Sequence, residues 1–202
     1  MTLAAIILAA GESTRMGRPK ALLPWAGTTL IDWQVRQMSL AGVEDIVVVL
    51  GHEAEVTRSA VTERCQVVVN EAYQEGRASS LRLGAGALTD ATAAVLILGV
   101  DQPRPAWIST RLIDTWRRTA AAIVVPSHSG RRGHPVLVDA SLVRELRSVR
   151  EETLGLRAVL DRHESRIVLV PVSSAAVSID LNTLAEYESA LADFMAGRWD
   201  EA

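Results

Sequence analysis

Apolar residues along the chain gather in short runs separated by stretches with helical spacing. Residues 4–8, 45–50, 66–69, 94–100, 122–125 and 167–172 have the length of buried strands. Most of these runs carry few polar positions, the pattern of a parallel sheet covered on both faces. Between them, residues 29–41 place Leu30, Trp33, Val35 and Met38 on one face and stop at Gly42. Residues 53–64 alternate charge with Val56, Ala60 and Val61, and helical patterns follow at 79–88 and 106–120. The β-α-β-α succession predicts right-handed crossovers and an α/β sandwich. Beyond Val125 the rhythm changes. "PSHSGRRGHPVLVD" reads as a strand, a glycine-rich turn and a returning strand, so a small antiparallel excursion is expected. Helical segments at 141–148, 153–163 and 183–196 complete the chain. It contains no internal repeat, low-complexity tract or long linker, and residues 1–202 read as one domain.

Composition narrows the function classes. Hydrophobic residues at 49% and charged residues at 22% exclude wholesale disorder. A net charge of -3 argues against a duplex-binding surface, so no nucleic-acid partner is expected. The single Cys65 rules out a disulfide framework or a cysteine-rich zinc site, and beside Val67 it reads as a core residue. No basic segment precedes the first apolar run, which breaks at Gly11; neither a signal peptide nor a membrane association is expected, and a cytoplasmic location follows.

In an open α/β sheet, ligands bind beyond the carboxyl ends of strands. The first such loop belongs to "LAAGESTRMGRPK", residues 8–20. It is not a Walker A loop, because Lys20 lies between Pro19 and Ala21, nor a dinucleotide fingerprint, because only Gly11 and Gly17 are present. Those two glycines suit close backbone approach to an anion, and Arg15, Arg18 and Lys20 add cations. The bland alternative is a solvated basic turn. Asp101 and Asp180 each follow an apolar stretch and could hold a hard cation or cap a helix. Gly76, Ser79 and Ser80 offer amides and hydroxyls at a helix start, with Ser80 as a plain N-cap the alternative. His134, in "GRRGHPV", could act as a base, orient a phosphate or satisfy a turn. It has no second His or Cys at ligand spacing, and the chain has no G-x-S-x-G elbow.

These elements together resemble the molybdenum-cofactor nucleotidyltransferases, specifically the cytidylyltransferase branch. The opening L-A-A-G-x-S-x-R-M-G-x-x-K is matched at Leu8, Ala9, Ala10, Gly11, Ser13, Arg15, Met16, Gly17 and Lys20. The segment from Glu75 to Gly84, "GVDQP" at 99–103, "GRRGHPVL" at 130–137 and "DLNTLAEY" at 180–187 follow in the family's order. The resemblance implies a Rossmann-like three-layer α/β/α nucleotidyltransferase fold and Mg²⁺-dependent transfer of CMP from CTP to the phosphate of molybdopterin. Carried over, Arg15, Lys20 and Asp101 would be catalytic. Leu8, Ala9, Ala10, Gly11, Ser13, Gly17, Asn70, Gly76, Ser79 and Ser80 would bind the nucleotide. Gln102, Arg132 and His134 would face the phosphorylated pterin, and Asp101 and Asp180 would hold magnesium. A molybdoenzyme maturation factor is a further partner that such an assignment brings, while oligomeric state is left open. Ala10 leans the base towards CTP, since the guanylyl branch resembles L-A-G-G.

Departures fall on the acceptor side. "EETLGLRAVL" keeps Gly155 and Arg157 but lacks the family's Gly-Asp pair, Arg77-Ala78 replaces the commoner Met-Ser, and Leu184 stands where proline is usual. Three alternatives therefore stay open: a related NTP transferase acting on another phosphorylated small molecule to make a cytidylyl polyol or a nucleotide sugar, a GTP-using molybdenum cofactor guanylyltransferase, and a non-catalytic nucleotide-binding module.

Overall fold

The computed structural model describes residues 2–62 and 64–201. The chain runs through β1 (Thr2–Ala9), a two-stranded hairpin of β2 (Pro24–Trp25) and β3 (Thr28–Thr29), and α1 (Leu30–Leu40). Next come β4 (Asp45–Leu50), α2 (Ala54–Ser59), β5 (Gln66–Val69), α3 (Arg77–Ala87), β6 (Thr92–Gly99) and α4 (Ala106–Thr119). The predicted excursion is β7 (Ile123–His128), β8 (Arg131–Arg132) and β9 (Val136–Asp139). It leads into α5 (Val143–Leu146), α6 (Leu156–Arg162), β10 (Ile167–Pro171) and α7 (Leu184–Met195).

Among the described residues the main sheet has the order β10-β7-β9-β6-β1-β4-β5, with β8 added to β7. β1 pairs in parallel with both β4 and β6, β4 with β5, and β7 with β10. β9 runs against β6 and β7, and β8 against β7, so the excursion contributes the two reversed strands of an otherwise parallel sheet. The continuous apolar runs serve two cores at once, because successive side chains point to opposite faces. Leu3, Ala5, Ile7 and Ala9 of β1 join Trp25, Met38, Leu112 and Ile113 on one side. Ala4 and Ile6 join Leu81, Leu146 and Val159 on the other. This is the expected three-layer α/β/α arrangement with a mixed, mostly parallel sheet.

Several boundaries differ from the sequence pattern for local reasons. The helix expected over 53–64 ends at Ser59, because Thr62 donates from its amide (2.8 Å) and its hydroxyl (2.6 Å) to the buried Asp32 carboxylate. That clamp draws the chain towards β5. The segment expected over 153–163 becomes helical only at Leu156, after Leu154 and Gly155 turn through left-handed backbone. The segment expected over 141–148 shortens to α5 behind a tight turn. α3 begins at Arg77, so Ser79 and Ser80 lie inside its first turn and neither caps it. Cys65 is half-buried at the edge of the core rather than within it.

Aromatic side chains gather at one end of the molecule. Trp25 has ring centroids of Trp33, Phe194 and Trp199 at 5.8, 5.5 and 5.6 Å, and Tyr187 at 6.2 Å. The Tyr187 hydroxyl donates to the Pro24 carbonyl, which fastens α7 to the segment that follows Lys20. α7 itself starts on a capping box: Thr183 Oγ1 accepts from the Glu186 amide, and Glu186 Oε2 accepts from the Thr183 amide.

Candidate active site

The carboxyl ends of β1, β4, β5 and β6 open onto a cavity of about 370 Å³. Its walls include Leu8, Ala9, Ala10, Gly11, Ser13, Arg15, Lys20, Gly76, Ser80 and Asp101. Ten of the residues predicted for the site thus come together from three separate loops. The β1 loop owes its shape to Ser13 (φ 53°) and Gly17 (φ 66°), which bracket a tight turn over Thr14–Met16. Ser13 Oγ accepts from the Lys20 amide at 3.1 Å and closes the loop on itself. Gly11, unlike Gly17, is not in the left-handed region. An added Cβ there would meet nothing within 4 Å, so its place on the wall is open space rather than a strained turn.

Lys20 is the centre of the cluster. Its Nζ lies 3.2 Å from Asp101 Oδ2 and 3.2 Å from Asn182 Oδ1. The Leu181 amide donates to the Asp101 carbonyl at 2.8 Å, which brings the segment before α7 against the end of β6. Asn182 therefore stands on the cavity wall, whereas Asp180 does not. Asp180 Oδ1 instead accepts from Gln102 Nε2 at 3.0 Å and lies 3.8 Å from Arg104. Nor does Asp180 cap α7, since Thr183 holds that position.

Other predicted residues support the site from behind. Asn70 is buried, donating to Ser79 Oγ (2.8 Å) and Ser80 Oγ (2.9 Å) while its own oxygen accepts from the Ala72 amide. Ser79 Oγ in turn donates to the Gly76 carbonyl, and Ser80 reaches the wall. Gly17 lies off the wall and shapes the loop. Gln102, expected to face the acceptor, is buried, and its amide is engaged at both ends by Gly99 and Asp180. Arg132, also expected there, is on β8 and is paired with Glu164, away from both cavities.

A second cavity, of about 410 Å³, adjoins the first across Leu8 and Arg77. Its walls are mostly apolar, with Leu81, Ile97, Leu156 and Leu160 among them, and Arg77, His134, Glu151 and Arg157 supply the polar groups. Burial, with Arg104 and Arg77 nearby, pushes the His134 imidazole down to about 4, so it is neutral near pH 7. Glu151 Oε2 accepts from the Ala78 amide at 2.8 Å and so occupies one of the free amides at the start of α3.

Sequence reasoning missed four residues of note. His52 and Tyr73, with His52 Nδ1 3.3 Å from Tyr73 Oη, form an aromatic side of the first cavity. His52 lies two residues beyond the end of β4, the signal that could have found it. Asn182 lies in the 180–187 motif, where its residue type suits a helix N-cap, but Thr183 caps α7 and Asn182 meets Lys20 instead. Arg104 is fully buried and donates to the carbonyls of Pro103, His134, Val177 and Ile179 at 2.8–3.1 Å. Desolvation lowers its pKa to about 10, with Asp180 and Asp101 opposing that shift. No periodicity marks such a clasp in advance.

Known proteins give this geometry a context. A nicotine blue oxidoreductase of Paenarthrobacter nicotinovorans is 33% identical over 187 residues, covering 89% of this chain and 91% of that protein. The molybdenum cofactor cytidylyltransferase of Escherichia coli K12 is 27% identical over 189 residues, covering 88% and 90%. Rv0371c from Mycobacterium tuberculosis H37Rv superposes with a TM-score of 0.83 at 26% identity over 95% of this chain and 98% of that one. A structure of the same protein in complex with manganese gives 0.78 at 25% identity, covering 95% and 99%. Residues 5–167 match the MobA-like NTP transferase domain, and the chain belongs to that family of nucleotidyltransferases.

Proposed function

We propose that the chain is a magnesium-dependent cytidylyltransferase that moves CMP from CTP onto the phosphate of a small molecule, molybdopterin being the first candidate. One observation carries this reading. Lys20 Nζ, Asp101 and Asn182 from three distant segments meet at 3.2 Å on the wall of a cavity large enough for a nucleotide. The resemblance at residues 8–20 and the similarity to the E. coli cytidylyltransferase support the nucleotide half.

The residues fit a divalent cation. Asp101 and Asn182 already present two hard oxygens to a positive charge, that of Lys20. No group of three His, Cys, Asp or Glu converges among the described residues, so a metal here would take its remaining ligands from phosphate and water. Bound there, magnesium would neutralise phosphate charge and polarise the α-phosphorus. In this reading Asp101 and Asn182 supply ligands, and Asp180 anchors Gln102 and Arg104 behind them. The manganese-bound relative supports a metal on this fold.

The chemistry asks the protein chiefly to position and to neutralise. An oxygen of the acceptor phosphate attacks the α-phosphorus, the bond to the bridging oxygen of the β-phosphate breaks, and pyrophosphate leaves with that electron pair. A phosphate monoester is already largely dianionic at pH 7, so no general base is required. Arg15 and Lys20 meet the triphosphate, with the backbone of 9–13 along its length. Gly76, Ser80, His52 and Tyr73 line the part left for base and ribose, and Ala10, packed against Gly51, limits its size. Pyrophosphate release across the four NTPs, with molybdopterin, a sugar phosphate and a polyol phosphate as acceptors, tests the assignment. CTP with molybdopterin is expected to lead, and a strong preference for UTP or for a sugar phosphate would overturn it.

A second reading comes from the oxidoreductase relative together with the apolar second cavity, which would suit a flat ring compound as a redox substrate. Incubation with reduced nicotinamide nucleotides and a quinone dye tests it. Dye reduction above background would favour it over nucleotidyl transfer.

A further inference from the structure

The two cavities share two residues, Leu8 and Arg77, and only Arg77 is charged. Arg77 opens α3 and reaches across to the end of β6. Its guanidinium NH2 lies 2.5 Å from the point where a Cβ on Gly99 would stand, and Asp101 Oδ1 lies 2.3 Å from the same point. The bare Cα of Gly99 therefore leaves room for both side chains and sets them side by side.

The other polar groups around the seam have partners or settings of their own. Lys20 is held by Asp101 and Asn182 in the first cavity. In the second, Arg157 is 3.8 Å from Asp161 on its own helix, and its side chain is 75% exposed. Glu151 is bonded to the Ala78 amide, and His134 is neutral near pH 7. Arg77 itself is an exposed residue. Among the described residues it is the one cation lining both cavities.

Resting on the nucleotidyltransferase reading above, we propose that Arg77 binds the acceptor: its guanidinium holds the phosphate of a molecule seated in the apolar second cavity against the α-phosphate in the first. Two anions must approach to near contact there, and their repulsion grows as water is excluded. A planar fork can hold two oxygens of the incoming phosphate at once, fixing its orientation as well as its charge. This arginine departs from the methionine common at that place in the resembled family, so the assignment belongs to this chain's own sequence.

The test separates the two cavities by titration calorimetry. A non-hydrolysable CTP analogue with Mg²⁺ is bound first, and phenyl phosphate is then titrated into the loaded protein. Wild type is expected to bind both. Arg77→Met should weaken phenyl phosphate at least tenfold and the analogue by a clearly smaller factor, and Arg77→Lys should recover part of the loss. Equal melting temperatures for the three proteins would show that the fold is intact. The assignment is overturned if Arg77→Met weakens the analogue as much as phenyl phosphate, if it changes neither, or if wild type loaded with the analogue does not bind phenyl phosphate. Failure of the analogue to bind wild type would instead remove the cytidylyltransferase reading on which the assignment stands.

Discussion

Replacing His134 with glutamine removes a titrating group whose protonation the fold resists. Its pKa is about 4 in the folded chain against 6.5 for an ordinary imidazole, because burial comes first and Arg104 and Arg77 add to it. The sign follows from proton counting. Between pH 6.5 and 4 the unfolded chain binds a proton at this position that the folded chain does not. The associated stability is therefore complete above pH 6.5 and is lost as pH falls towards 4. At 1.36 kcal/mol per pKa unit, the loss is about 2 kcal/mol at pH 5 and about 3 kcal/mol at pH 4. For a chain of this length, 2 kcal/mol corresponds to roughly 4–8 °C in Tm. Calorimetric melts of wild type and His134→Gln at pH 7.5, 6, 5 and 4 provide the comparison, since carboxylate titration is common to both proteins. Wild type should lose more stability than the variant, and the gap should open below pH 6.5. Parallel curves would refute a buried neutral imidazole at this place.

Arg104→Met should be strongly destabilising, because it leaves four carbonyls and Asp180 without their cation. Breaking such a buried arrangement costs about 3–5 kcal/mol, or roughly 6–20 °C in Tm for a chain of this length. A drop below about 3 °C by scanning calorimetry would contradict the clasp. Lys20→Ala should leave folding nearly intact but lower kcat/KM for CTP by a factor of about 30 to 1,000, equivalent to ~2–4 kcal/mol of lost transition-state stabilisation. Steady-state kinetics close to wild type would remove Lys20 from the chemistry.

What the sequence disclosed depended on whether the physics was local. Strands announced themselves because a two-faced core needs an unbroken apolar run, as in β1 and β6, where alternate residues serve opposite sides. The loop after β1 was legible because its cations and glycines are contiguous. Long-range side-chain commitments were not. Gln102 sits beside Asp101 in sequence, yet Gly99 and Asp180 claim both ends of its amide, so it supports the site from within. Arg132, placed on the acceptor side by the resemblance alone, lies on β8 and pairs with Glu164. Asp180 and Asn182 are two residues apart, and only the contact between Leu181 and Asp101 decides which of them meets the cavity. Thr62, which ends α2 early, acts through Asp32 in another helix.

The aromatic cluster around Trp25 gives the molecule a built-in optical sensor. Three of the five tryptophans lie in it, with Trp33 and Trp199 each under 6 Å from Trp25, close enough for excitation to pass to it. Trp25 is five residues beyond Lys20, and the buried Leu23 and the Tyr187 hydroxyl bond hold the intervening segment against the core. If Lys20 exchanges Asp101 for a phosphate, as the proposed reading requires, the pull would be transmitted along a short, pinned stretch of chain to the group that sets the emission. Nucleotide occupancy should then be visible in the colour and intensity of the protein's own light, with no label attached.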